Sequence, residues 1–245
     1  MEDDLIILER DGATAWLTLN RPDKRNALNL DMWAGLNRHL DTIEAADDAV
    51  LVVVLRAAGS VFCAGNDLRQ LGGKPPVPNY QARTISRLAN LRQPLVVAVQ
   101  GGCFTGGLEL ALAGDIIIAA EGARFADTHG KFSLVPAWGL SQRLPRRVGT
   151  YKAREMSFTG LPVTGAEAER IGLANICVAD DLLAAKTAEI AGAIAAQSPH
   201  SLFAYKKLYR EQEDLPLAAG LAHEVFNSAG RGADSAERAA AFGKK

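Results

Sequence analysis

The chain is short of the residues that mark several common classes of protein. Its three cysteines, Cys63, Cys103 and Cys177, are an odd number without metal-type spacing. Neither a disulfide framework nor a cysteine-based metal site is therefore expected, and a reducing interior is. No apolar run approaches the roughly 18 residues of a membrane span, and Met1-Glu2-Asp3-Asp4 lacks a basic n-region. A cytoplasmic protein is the expectation. Charge of one sign is lacking too: 27 Lys and Arg against 28 Asp and Glu leave a net charge of −1. That gives no electrostatic reason to expect nucleic acid or an anionic membrane as partner. No G-x-G-x-x-G run follows an N-terminal strand, which sets aside a dinucleotide-binding enzyme. What remains is a 245-residue chain able to bury a full core, as one large domain or a domain with an appendage.

Two short runs look like one device used twice. They are Cys63-Ala64-Gly65-Asn66-Asp67-Leu68 and Gly101-Gly102-Cys103-Phe104-Thr105-Gly106-Gly107-Leu108-Glu109. Each follows a strand-like apolar run, Val50 to Leu55 and Leu95 to Val99, and each is expected to run into a helix. A strand, a glycine-rich turn and a helix N-terminus present free backbone N–H groups. Two such turns facing each other can hold one carbonyl oxygen as it gains negative charge, which is an oxyanion hole made of main chain.

Around them the pattern is that of a mostly parallel α/β core. Leu5 to Leu8 and Trp16 to Leu19 flank a hairpin turn at Arg10-Asp11-Gly12. A helix follows with Trp33, Leu36, Leu40 and Ile43 on one stripe. Val50 to Leu55 is nearly continuous in apolar residues, as a strand buried on both faces would be. Asp115 to Ala120 and Arg124 to Ala126 read as further strands. Residues 72–80, with three prolines and two glycines, form the one segment expected as a mobile loop over a site. From about residue 180 the strand pattern ends. Helices are expected over 180–196, 199–213, 216–229 and 234–242, with Pro199 and Pro216 early and Asp234 with Glu237 as an N-cap pair. The division is thus a core over 1–179 and a C-terminal helical region over 180–245, expected to dock on the core or on neighbouring subunits.

Four motifs in register resemble the successive signatures of the enoyl-CoA hydratase/isomerase (crotonase) family. They are Arg21-Pro22 with Asn26-Ala27-Leu28, Phe62 to Leu68, Gly106 to Ala111, and Gly139-Leu140-Ser141-Gln142-Arg143-Leu144. The resemblance runs from residue 5 to about 240. It implies a spiral of ββα units with a C-terminal helical region that forms trimers, and hexamers made of two trimers. It implies acyl-CoA thioester substrates and a stabilised thioester enolate. No metal or redox cofactor is implied, since CoA belongs to the substrate.

The resemblance assigns roles residue by residue. Asn66 and Gly106 supply the two oxyanion N–H groups. Glu109 matches one of two glutamates that hold and activate water; its plain structural alternative is capping of its own helix. The second glutamate is absent, and His129 stands there. It can replace the missing acid by protonating the α-carbon, or shape the pocket while Glu109 moves the protons alone. Asp127 can orient His129 or itself reach the site. For CoA, Lys24 and Arg25 match the segment near the adenosine part, and backbone groups around Cys63, Ala64 and Leu68 line the adenine and pantetheine path. Phe242, Lys244 and Lys245 are candidates to close the CoA site from the C-terminus. Trp138, Phe132, Leu134 and the 72–80 loop are candidates for the acyl pocket, although acyl length and branching do not follow from the sequence. His39, His200 and His223 take no role. The leading function is hydration of a 2-enoyl-CoA; the alternatives are an enoyl-CoA isomerase using Glu109 alone and an acyl-CoA-binding protein without turnover.

Overall fold

The computed structural model describes residues 4–70 and 72–242. The chain opens with β1 (Ile6–Asp11) and β2 (Thr14–Leu19), an antiparallel hairpin closed by the Asp11–Thr14 pair. α1 (Leu30–Glu44) starts where the Asn29 side chain accepts from the Met32 N–H at 2.9 Å. Then come β3 (Val52–Ala57), α2 (Tyr80–Ala89), β4 (Leu95–Val99), β5 (Gly102–Phe104), α3 (Gly106–Ala111), β6 (Ile116–Ala120) and β7 (Arg124–Ala126). The order continues with α4 (Leu140–Val148), α5 (Thr150–Thr159), β8 (Val163–Thr164), α6 (Gly165–Arg170) and β9 (Ile176–Val178). Four helices end the described chain: α7 (Leu183–Ala195), α8 (Pro199–Gln212), α9 (Leu217–Asn227) and α10 (Ser235–Phe242).

The main sheet has six strands in the order β1-β2-β3-β4-β6-β9, all parallel beyond the first hairpin. A smaller sheet runs β5-β7-β8, and Cys63 extends it by pairing with Cys103 of β5. The repeat is visible in this arrangement. β3, β4 and β6 lie side by side in one sheet, and the segments that follow each of them (Cys63, β5 and β7) lie side by side in the other. This is the repeated unit expected from the motifs.

Alternation along β3 and β4 explains their unbroken apolar runs. Val53, Leu55, Leu95, Val97 and Val99 enter the larger core under α1, α2 and α3, while Val52, Val54, Val96 and Ala98 enter a second core. That second core is closed by Leu183 and Ala191 of α7. The first helix after residue 180 is therefore packed on the sheet rather than standing off it. α8 is tied to the core by Lys206, whose Nζ donates to the Gln93 carbonyl at 2.9 Å and to Asp115 at 2.7 Å.

One local expectation is corrected. The turn at 63–68 does not run into a full helix; it ends in a single 3-10 turn, Leu68–Gln70, and α2 begins only at Tyr80. The prolines and glycines of the intervening segment account for the delay. Among the described residues no helix is long and apolar enough to cross a membrane.

Candidate active site

The site is built where the two glycine-rich turns meet. Asn26 fixes the first from beneath. It is fully buried, its Oδ1 accepts from the Arg21 N–H at 2.8 Å, and its Nδ2 donates to the Ala58 and Val61 carbonyls at 2.9 and 2.7 Å. Arg21 Nη1 in turn meets Asp67 Oδ2 at 2.7 Å, which holds the Asp67 carboxyl below its ordinary range. The Leu28 N–H donates to the Gly65 carbonyl at 2.8 Å, and the Asp67 N–H to the Leu28 carbonyl at 2.9 Å. This parallel bridge uses the neighbours of Asn66 and turns the N–H of Asn66 itself the other way. It has no hydrogen-bond partner among the described residues.

The second turn is stitched to the first. The Cys63 N–H donates to the Gly102 carbonyl at 3.0 Å, and the Phe104 N–H to the Cys63 carbonyl at 3.0 Å. α3 crosses so close above Cys63 that a Cβ on Gly107 would lie 2.5 Å from the Cys63 oxygen. Thr105, just before the helix, has φ +53°, an unfavourable conformation for a β-branched residue. Its N–H donates to the Ala126 carbonyl at 2.9 Å, and its hydroxyl hydrogen-bonds Thr128. These contacts hold the strained turn, and Gly106 opens α3 with its N–H unpartnered among the described residues. Asn66 and Gly106 line one cavity of about 160 Å³.

Glu109 and His129 face that cavity as well. Glu109 is buried, 1 % exposed. Its Oε1 accepts from the Trp138 N–H at 2.8 Å and the Leu140 N–H at 3.2 Å, so it caps α4 rather than its own helix. Its Oε2 lies 3.7 Å from His129 Nε2. Burial pushes the Glu109 carboxyl above its ordinary range against the pull of those two N–H groups and His129. Asp127 Oδ1 accepts from His129 twice, from Nδ1 at 2.7 Å and from the backbone N–H at 3.1 Å. Burial works against ionisation of Asp127, but hydrogen bonds from His129 and Ser157 outweigh it and hold the carboxyl low. The result is a buried line of carboxylate, imidazole and carboxylate with Nε2 turned toward Glu109.

The other expected residues divide. Ala64, Leu68, Phe132, Leu134 and Trp138 line the cavity, whereas none of residues 72–80 does. Cys63 does not line the cavity: it is fully buried, its N–H and carbonyl pair with the β5 segment, and its Sγ lies 3.1 Å from the Asn26 carbonyl. Burial pushes its thiol up to about 12. It pins the two turns together. Lys24 and Arg25 are exposed and outside the cavity; Lys24 lies 3.3 Å from Asp23, and the Arg25 carbonyl accepts from the Ala64 N–H. Lys244 and Lys245 fall outside the described residues. The lining residues missed from sequence are Thr105, Thr128, Val135 and Ala137. Only the Thr105–Thr128 pairing carries structural information, and it forms through space between segments that no local spacing connects.

Comparison with known proteins shows what the chain is similar to. The family described as enoyl-CoA hydratase/isomerase matches residues 9–243. A probable enoyl-CoA hydratase of Rhizobium meliloti (strain 1021) is 36% identical over 247 residues, covering 99% of this chain and 96% of its own. A probable peroxisomal enoyl-CoA hydratase 1 of Arabidopsis thaliana is 34% identical, covering 91% and 85%. Among solved structures, an enoyl-CoA hydratase from Bacillus anthracis matches with a TM-score of 0.92 at 31% identity, covering 98% of this chain and 96% of that one.

Proposed function

The chain belongs to the enoyl-CoA hydratase/isomerase family, and from that premise we propose that it adds water to 2-enoyl-CoA thioesters through an enolate held by the Asn66 and Gly106 N–H groups. The observation that carries the reading is the Glu109–His129 approach of 3.7 Å inside the cavity that both N–H groups line. Hydration needs one group for the water and one for the carbon, and the site holds two.

Water attacks the β-carbon while Glu109 Oε2 removes its proton, with Oε1 kept in place by the start of α4. Charge passes to the thioester oxygen, where two preorganised N–H donors strengthen as it develops; each is worth on the order of 10²–10³ in rate. His129 Nε2 then gives a proton to the α-carbon. Asp127, on Nδ1, keeps Nε2 as the end that works. The proton on Glu109 returns to His129, and the site is reset with one water consumed. No metal or redox group is needed for these steps. Exposed Lys24 and Arg25 are assigned to the CoA phosphates, and Ala64 and Leu68 to its path into the cavity.

The test is to mix the protein with crotonyl-CoA and, separately, with a 3-enoyl-CoA, following the conjugated thioester absorbance. Hydration consumes the band; isomerisation of the second substrate creates it. Glu109→Gln is expected to lower kcat on crotonyl-CoA by about 10²–10⁴. His129→Ala and Asp127→Asn should lower kcat more than they change KM. Conversion of the 3-enoyl-CoA alone, with His129→Ala unimpaired, would replace this reading by the single-base isomerase.

A further inference from the structure

The cavity is small. Its volume of about 160 Å³ falls below the roughly 300–1,000 Å³ of ordinary ligand cavities. That space must take the water that adds as well as the acyl carbons.

One wall sets this limit. The ring of Trp138 lies so near α3 that a Cβ on Gly106 would be 2.4 Å from it. On another side the ring meets Trp33 of α1 at 78°, with centroids 5.2 Å apart, and Trp33 is fully buried in the core. The Trp138 backbone is tied at both ends, its N–H to Glu109 at 2.8 Å and its carbonyl to Arg143 Nη1 at 2.9 Å. An indole braced in this way is a fixed wall, since rotation would drive it into α3 or Trp33. The rest of the acyl side is Phe132, Leu134 and Val135, and among the described residues no Lys or Arg lines the cavity. A charged acyl terminus would meet apolar side chains there and no Lys or Arg to pair with.

Resting on the hydratase reading above, we propose that Trp138 determines acyl length, and that the substrates are enoyl-CoA thioesters with short, uncharged aliphatic acyl groups. The measurement is kcat/KM for crotonyl-CoA, trans-2-decenoyl-CoA and a 2-enoyl-CoA bearing a terminal carboxylate. The intact protein is expected to favour crotonyl-CoA at least about 10-fold over both others. Trp138→Ala should raise the decenoyl-to-crotonyl ratio at least about 10-fold, and Trp138→Phe should move it the same way by less. Equal turnover of decenoyl-CoA by the intact protein, or an unchanged ratio in folded Trp138→Ala, would overturn the proposal. Absence of turnover on 2-enoyl and 3-enoyl substrates alike would count against the hydratase reading instead. The length limit is then read by calorimetry: tighter binding of butyryl-CoA than decanoyl-CoA supports it, and the reverse or equality sinks it.

Discussion

Glu109 divides its two oxygens between a fixed task and a free one, and this has a pH signature. The group acts as a base only when ionised, and burial pushes its carboxyl up. The acid limb of kcat on crotonyl-CoA should therefore have its midpoint above the ordinary Glu range, and a buffer series across that limb would show it; a midpoint at the ordinary value would remove Glu109 from the rate-limiting proton transfer. Stability carries the opposite sign. A raised carboxyl makes the folded state prefer the protonated form, so this group's stabilising contribution is present below its unfolded pKa and is lost as pH rises through the folded one. Glu109→Gln should consequently melt higher than the parent at neutral pH and much like it at acid pH. The identity of Glu109 was legible in sequence, because a motif in register places it in the first turn of a helix. Its partners were not: Trp138, Leu140 and His129 reach it through space. The burial of Cys63 was not legible for a related reason, since a motif position does not say which atoms pairing has already consumed.

At the scale of elements, the site depends on how closely α3 lies on the turn at Cys63. Gly107→Ala would place a methyl 2.5 Å from the Cys63 oxygen and 2.8 Å from its Cβ. Neither is the movable end of a side chain, so α3 must lift. Denaturant unfolding should show a loss of about 1–3 kcal/mol. Lifting α3 also carries the Gly106 N–H away from Asn66, and kcat should fall by about 10² while thioester binding changes less. A destabilised variant with full kcat would separate the turn from the chemistry. The strands and helices themselves were readable, since β3, β4 and the stripe of α1 follow plain periodicity. The helix expected directly after Asn66 was not there, because the proline-rich stretch delays α2 to Tyr80.

At the scale of the molecule, the C-terminal helices leave apolar surface uncovered. Leu217, Leu221, Val225 and Phe226 of α9 are all exposed, which is more than a single helix of a free-standing chain ordinarily shows. The trimer or dimer of trimers implied by the family resemblance would cover it. Light scattering should then give three or six times 26.0 kDa, and Leu221→Lys with Phe226→Lys should shift the mass toward one chain. A single-chain mass for the unaltered protein would count against that assembly.

The two-sided burial of β3 and β4 also governs the order in which the protein can be completed during synthesis. Their Val52, Val54 and Val96 side chains are emitted early by the ribosome, but Leu183 and Ala191, which cover them, come more than 80 residues later. A nascent chain that stops short of α7 therefore has its strands but only half of the shelter they need. Truncations ending before residue 183 are accordingly the ones most prone to cling to chaperones or to one another.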